Sequence, residues 1–94
     1  MKMLVLTYSG ADPGRVSALL DEAGVPGHTR FDNGHGQGLS GPREGTRAWP
    51  GTVSLCFSVV DDVVARTVAN HCAGADLPPG ERLHFAVLPV DSFT

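Results

Sequence analysis

The chain has 94 residues, 41% of them apolar, and a formal net charge of −3 at neutral pH. That length suits one domain, residues 1–94. A domain of this size buries only about two-thirds of its unfolded surface, so self-association would support it. An acidic balance with a single lysine excludes the basic stripe of a nucleic-acid binder and a polybasic membrane patch. No run approaches the ~20 apolar residues of a membrane span.

The opening run Met1-Lys2-Met3-Leu4-Val5-Leu6 is too short for a secretory signal and breaks at Thr7-Tyr8-Ser9-Gly10. Cys56 and Cys72 match no metal or redox spacing and lie in apolar surroundings. They read as two buried thiols of a cytoplasmic protein.

Lys2 to Tyr8 is a β-rich apolar run and predicts a central strand. Asp12 followed by Pro13 predicts a capped helix start. Val16, Leu19, Leu20 and Ala23 then form one apolar stripe, and Gly24 closes the helix as a left-handed cap. Val25-Pro26-Gly27 turns into a second strand, about residues 27–31. Val53, Leu55, Phe57 and Val59 alternate with Ser54, Cys56 and Ser58, which predicts a third strand. The larger set reads as its helix-covered face and the smaller set as the uncovered one. Asp61 or Asp62 caps a second helix with Val64, Val68 and Cys72 on one side. A breaker-rich stretch from Ala73 to Gly80 leads to a last strand, residues 83–90. Pro89 puts that strand at an edge or ends it there.

The order βαββαβ predicts an α+β, ferredoxin-like sandwich with sheet order 4-1-3-2 and both helices on one face. Small neutral residues on the other face suggest packing against another subunit rather than against water. Strands two and three are joined by a long glycine-rich insert. Half of the twelve glycines lie between Gly34 and Gly51, together with Arg43, Arg47 and the only tryptophan, Trp49. A loop of that length in so small a domain points to function or disorder. Arg30, Arg43 and Arg47 with Ser40 and Thr46 offer guanidinium and hydroxyl donors to an anion, and Gly-rich backbone permits close approach. Against this stands a solvated loop whose arginines pair with Asp32 and Glu44. Trp49-Pro50-Gly51 reads as the anchor of the loop base, with ligand stacking as the alternative. Gly36-Gln37-Gly38-Leu39-Ser40-Gly41 matches a dinucleotide fingerprint, but Pro42 follows where a helix should start, so no Rossmann site is read there. The scattered His28, His35, His71 and His84 do not predict a metal site. No nucleophile with an adjacent base emerges, and an enzyme is not expected.

The element order, the long loop and the ending Leu88-Pro89-Val90 resemble PII-like signal-transduction proteins. The likeness is greatest to a small branch with a G-x-G-x-S-G-P-x-x-G-T-x-x-W-P-G loop, here Gly36 to Gly51. The resemblance implies a homotrimer whose sheets face a shared centre, with effector clefts between subunits at the loop base. It implies a small anionic effector, such as an adenine nucleotide or a carboxylate metabolite. A loop spanning 32–49 would be presented to a regulated transporter or enzyme. The ligand-binding set is then Arg30, Gly38, Ser40, Arg43, Thr46, Arg47 and Trp49, with Arg82 and His84 approaching from the last strand, and with no metal and no certain cofactor. Nucleotide-binding PII proteins carry a Gly-Asp-Gly-Lys type of loop before that strand. This chain has Pro79-Gly80-Glu81-Arg82-Leu83-His84 there, where Arg82 or His84 would stand in for the lysine and the glycine nest is missing. The only tyrosine, Tyr8, lies on a strand rather than at the loop tip. The alternative reading on the same trimeric fold is a CutA-like metal-binding module, with His35 as its most plausible ligand.

Overall fold

A computed structural model describes residues 1–38, 41–43 and 52–94, with backbone alone at 38 and 41–43. The elements are β1 (Lys2–Ser9), α1 (Gly14–Glu22), β2 (Thr29–Gly34), β3 (Gly36–Gly38), β4 (Gly41–Arg43), β5 (Val53–Val60), α2 (Asp62–Ala73) and β6 (Arg82–Pro89). β2, β5, β1 and β6 form one antiparallel sheet in the order β2-β5-β1-β6, and β3 pairs with β4 in a separate two-stranded ribbon. The expected α+β architecture of a four-stranded antiparallel sheet with two helices is present.

Both helices cover the same sheet face. Val16 and Leu20 of α1 and Ala65 and Val68 of α2 are buried with Leu4, Leu6 and Tyr8 of β1 and Cys56 and Val60 of β5. The apolar stripe read along α1 is the one buried.

The assignment of the two faces of β5 is reversed. Ser54, Cys56, Ser58 and Val60 lie under the helices, whereas Leu55 is exposed and Val53, Phe57 and Val59 are half-buried on the open side. The pairing register supplies the physical reason. Leu4, Leu6 and Tyr8 sit beside Ser58, Cys56 and Ser54, so large side chains of β1 are matched by small ones of β5 in a single packed layer. Ser58, a polar member of that layer, is satisfied locally, since its hydroxyl donates to the Gly27 carbonyl.

The helix ends follow local chemistry, with one correction. The Asp12 side chain does not cap α1. Pro13 takes the cap position in helical conformation, without a side-chain cap bond, and the Asp12 carbonyl accepts from the Arg15 N–H at 3.1 Å. Gly24, at φ 84, ends α1 as expected. Its N–H donates to the Asp21 carbonyl and the Val25 N–H to the Leu20 carbonyl, the paired bonds of a Schellman motif. Asp61 caps α2, its Oδ1 accepting from the Val64 N–H at 2.8 Å.

β2 begins later and runs further than expected, to Gly34, because a bulge extends it. Phe31 pairs with Leu55 and Gly34 with Val53, so one extra residue is taken up between them. Asn33 absorbs the bend at φ 62, a conformation that asparagine tolerates better than most residues. A Cβ on Gly34 would lie 2.8 Å from the Val53 carbonyl oxygen, so glycine is required at that contact. This is where the chain leaves the sheet for the β3–β4 ribbon.

Candidate functional site

Arg30 sits on β2 opposite Cys56 and therefore on the helix side of the sheet. Its Nη1 donates to Ser17 Oγ at 2.7 Å and to the Pro13 carbonyl at 3.2 Å, and its Nε pairs with Asp32 Oδ1 at 3.1 Å. His28 Nε2 lies 3.2 Å from the same Ser17 Oγ. The guanidinium thus ties the root of the ribbon to the start of α1. The Asp32 partner anticipated for a loop arginine is the one it takes.

Arg82 and His84 are exposed on β6, paired with Ser9 and Thr7. Leu83 and Phe85 pack against the core beneath the helices, so Arg82 and His84 project from the opposite, open face. β2 and β6 are the two edges of the sheet. Three strand spacings of about 4.8 Å separate them, on the order of 14 Å. One chain therefore does not bring Arg30 together with Arg82 and His84.

The backbones of Gly38 and Arg43 lie in the ribbon, where Gly38 pairs with Gly41 and Gly36 with Arg43. Ser40, Thr46, Arg47 and Trp49, and the side chain of Arg43, lie outside the described residues, as does the proposed anchoring by Trp49. His35 is exposed between β2 and β3. Among the described residues, no group of three or more His, Cys, Asp or Glu is placed to hold a metal ion.

The open face is apolar across the sheet. Met3, Val5 and Thr7 of β1 are flanked by Val59, Phe57 and Leu55 on one side and by Leu88, Ala86 and His84 on the other. Phe31 on β2 stacks on Phe57 with ring centroids 6.2 Å apart and remains 58% exposed. Leu88 is 44% exposed. Contiguous apolar surface of this kind marks an interaction face.

A second feature was not read from the sequence. A cleft of about 730 Å³ opens between α1 and α2 and is lined by Tyr8, Arg15, Leu19, His71, Leu77 and Leu83 among others. At its floor the Tyr8 hydroxyl donates to Glu81 Oε1 at 2.6 Å and accepts from the Asp12 N–H at 3.2 Å. Arg15 Nε lies 3.2 Å from the same carboxylate oxygen, close enough for charge pairing but not aligned as a hydrogen bond. Burial, and then the bond to Glu81, push the Tyr8 phenol above its ordinary pKa. The available signal was Tyr8 itself. It continues the buried alternation of Leu4 and Leu6, and a buried hydroxyl requires a partner.

No protein-family model and no curated protein matches the sequence. Solved structures do. CPII from Thiomonas intermedia K12, a nitrogen regulatory PII-like protein bound to ADP, AMP and bicarbonate, superposes with a TM-score of 0.64 at 22% identity, over 93% of this chain and 86% of that one. CPII bound to ADP and bicarbonate gives 0.66 at 21% identity, over 97% and 88%. The fold is PII-like. A chain described as a PII-like signalling protein from Thermus thermophilus matches at 0.56 and 13% identity, over 94% and 88%. The PII-like architecture therefore spans nearly the whole chain, including both edge strands that carry the candidate residues. No helix among the described residues is long and apolar enough to cross a membrane.

Proposed function

We propose that this chain is a PII-like regulatory protein and not an enzyme. Three copies join through the open sheet face. A small anionic effector, an adenine nucleotide or a compact carboxylate, binds in the clefts between subunits. The 32–49 loop carries the signal to a partner such as a transporter or enzyme in the cytoplasm. The carrying observation is the placement of the candidate residues. Arg30 on the helix side of one sheet edge and Arg82 with His84 on the open side of the other are too far apart to serve one ligand within a chain, and the apolar open face offers a second copy a place to dock. Strand order β2-β5-β1-β6 puts the root of the loop on one edge and β6 on the other, so a neighbour can bring the two edges together. The CPII structures with ADP, AMP and bicarbonate support an effector of this class.

Calorimetry with ADP, AMP, bicarbonate, copper and zinc tests the reading. Saturable heat from a nucleotide or bicarbonate is the expected result. Saturable heat from a metal alone rejects it in favour of a CutA-like module.

A further inference from the structure

The segment that enters β6 has little hydrogen-bonding capacity left for a ligand. Pro78 and Pro79 have no N–H to give. The Glu81 N–H donates to the Pro78 carbonyl at 3.1 Å, and Gly80 between them has φ 87. Proline at the second position and a left-handed glycine at the third are the signature of a type II turn. Across residues 78–81 at most the Gly80 amide remains.

The turn is also pinned. Glu81 Oε1 accepts from the Tyr8 hydroxyl at 2.6 Å and lies 3.2 Å from Arg15 Nε, with the Glu81 side chain only 9% exposed. A Cβ on Gly10 would lie 2.6 Å from Tyr8 Cζ and 2.8 Å from the Glu81 carboxyl carbon, so the end of β1 closes tightly over the pair. Remodelling this turn into a row of inward-pointing amides would break a buried tyrosine–carboxylate bond and strand the charge of Glu81.

On the opposite side of the strand Arg82 and His84 stand exposed, two residues apart on the open face. A guanidinium matches one carboxylate or one phosphate in bidentate fashion. Polyphosphate chains are held by consecutive backbone amides, and the turn before Arg82 does not supply them. We propose that the β6 edge selects a compact single anion over a polyphosphate chain. That anion is bicarbonate, a carboxylate or the one phosphate of a nucleoside monophosphate. The proposal rests on the reading of Arg82 as an effector contact.

The test is calorimetric titration of the full chain with AMP, ATP and bicarbonate, for the wild type, for Arg82→Ala and for the double variant Pro78→Gly/Pro79→Gly. AMP or bicarbonate is expected to bind more tightly than ATP, and Arg82→Ala to weaken the tighter of the two at least tenfold. Restoring two amide donors is expected to raise ATP affinity relative to AMP several-fold. The single variant Pro79→Gly restores one amide donor and is expected to give a smaller gain in the same direction should the glycine pair disturb folding. ATP binding more tightly than both AMP and bicarbonate, or an Arg82→Ala variant that binds as the wild type does, overturns the selection and leaves the regulatory reading standing. Both turn variants leaving the ATP-to-AMP ratio unchanged overturns it as well. No saturable heat from any of the three ligands removes the regulatory reading and this inference together.

Discussion

Tyr8 shows how much one side chain can organise in so small a chain. It extends the buried row of β1, and its hydroxyl joins the start of α1, through the Asp12 amide, to the turn before β6, through Glu81. A phenol whose folded pKa is raised above its unfolded value favours folding while it is protonated. That contribution is complete below the unfolded pKa and is lost as pH rises through the folded one. Stability should therefore fall at strongly alkaline pH in the wild type and fall less in Tyr8→Phe. Tyr8 is the only tyrosine, so tyrosinate absorbance reports it directly, and its midpoint should lie above 10.0. A midpoint at or below that value would contradict a phenol raised by burial and by its bond to Glu81. The cysteines yield a plainer expectation. Burial raises both thiols, most simply for Cys72, while at Cys56 the charge of Arg30 opposes part of the rise. Both are free, and iodoacetamide at mildly alkaline pH should label them slowly in the native state and rapidly in urea. Residue identity was a partial guide to role. Asp32 as the partner of Arg30 was legible because the two are neighbours along one strand. The bonds from Arg30 to Ser17 and Pro13 were not, because they depend on how β2 lies against α1.

Elements were the most legible level, since each is fixed by a short-range rule. Periodicity located both helices and all four strands of the main sheet, and Gly24 and Asp61 ended and began helices as their chemistry demands. Asp12 was misread because proline at the next position itself takes the cap place, which leaves the aspartate outside the helix. The bulge at Asn33 was also missed. Nothing in Phe31-Asp32-Asn33-Gly34 declares a slipped register until β5 is laid beside it. Two substitutions test this level. Asp61→Ala should destabilise the fold by about 1 kcal/mol in urea titration, the usual worth of a helix N-cap, and should leave ligand binding unchanged. Gly34→Ala should act at the loop root instead. Its new methyl must displace the Val53 carbonyl, so amide exchange should rise at residues 31–34 and 53 more than in the helices. Uniform exchange through the sheet would argue against a local role for that glycine.

The whole molecule turns on which sheet face is left open. The alternation in β5 is apolar enough on one side to suggest a core, and the sequence does not show that the helices prefer the smaller side. The choice is settled by volume matching across β1 and β5, a tertiary property invisible to the pattern of either strand. The reversal strengthens the expectation of self-association, because the face left uncovered carries Val5, Phe57, Leu55, Phe31 and Leu88 rather than small neutral residues. Phe57→Asp would place a carboxylate in the middle of that face. It should abolish assembly and effector binding together while leaving each subunit folded by circular dichroism, because burying an unpaired charge opposes association. The most direct test is the mass in solution. Sedimentation equilibrium of the wild-type chain at micromolar concentration should give three times 9.8 kDa. A stable particle of 9.8 kDa would contradict the account, since Arg30 and the Arg82–His84 pair would then have no neighbour to meet across.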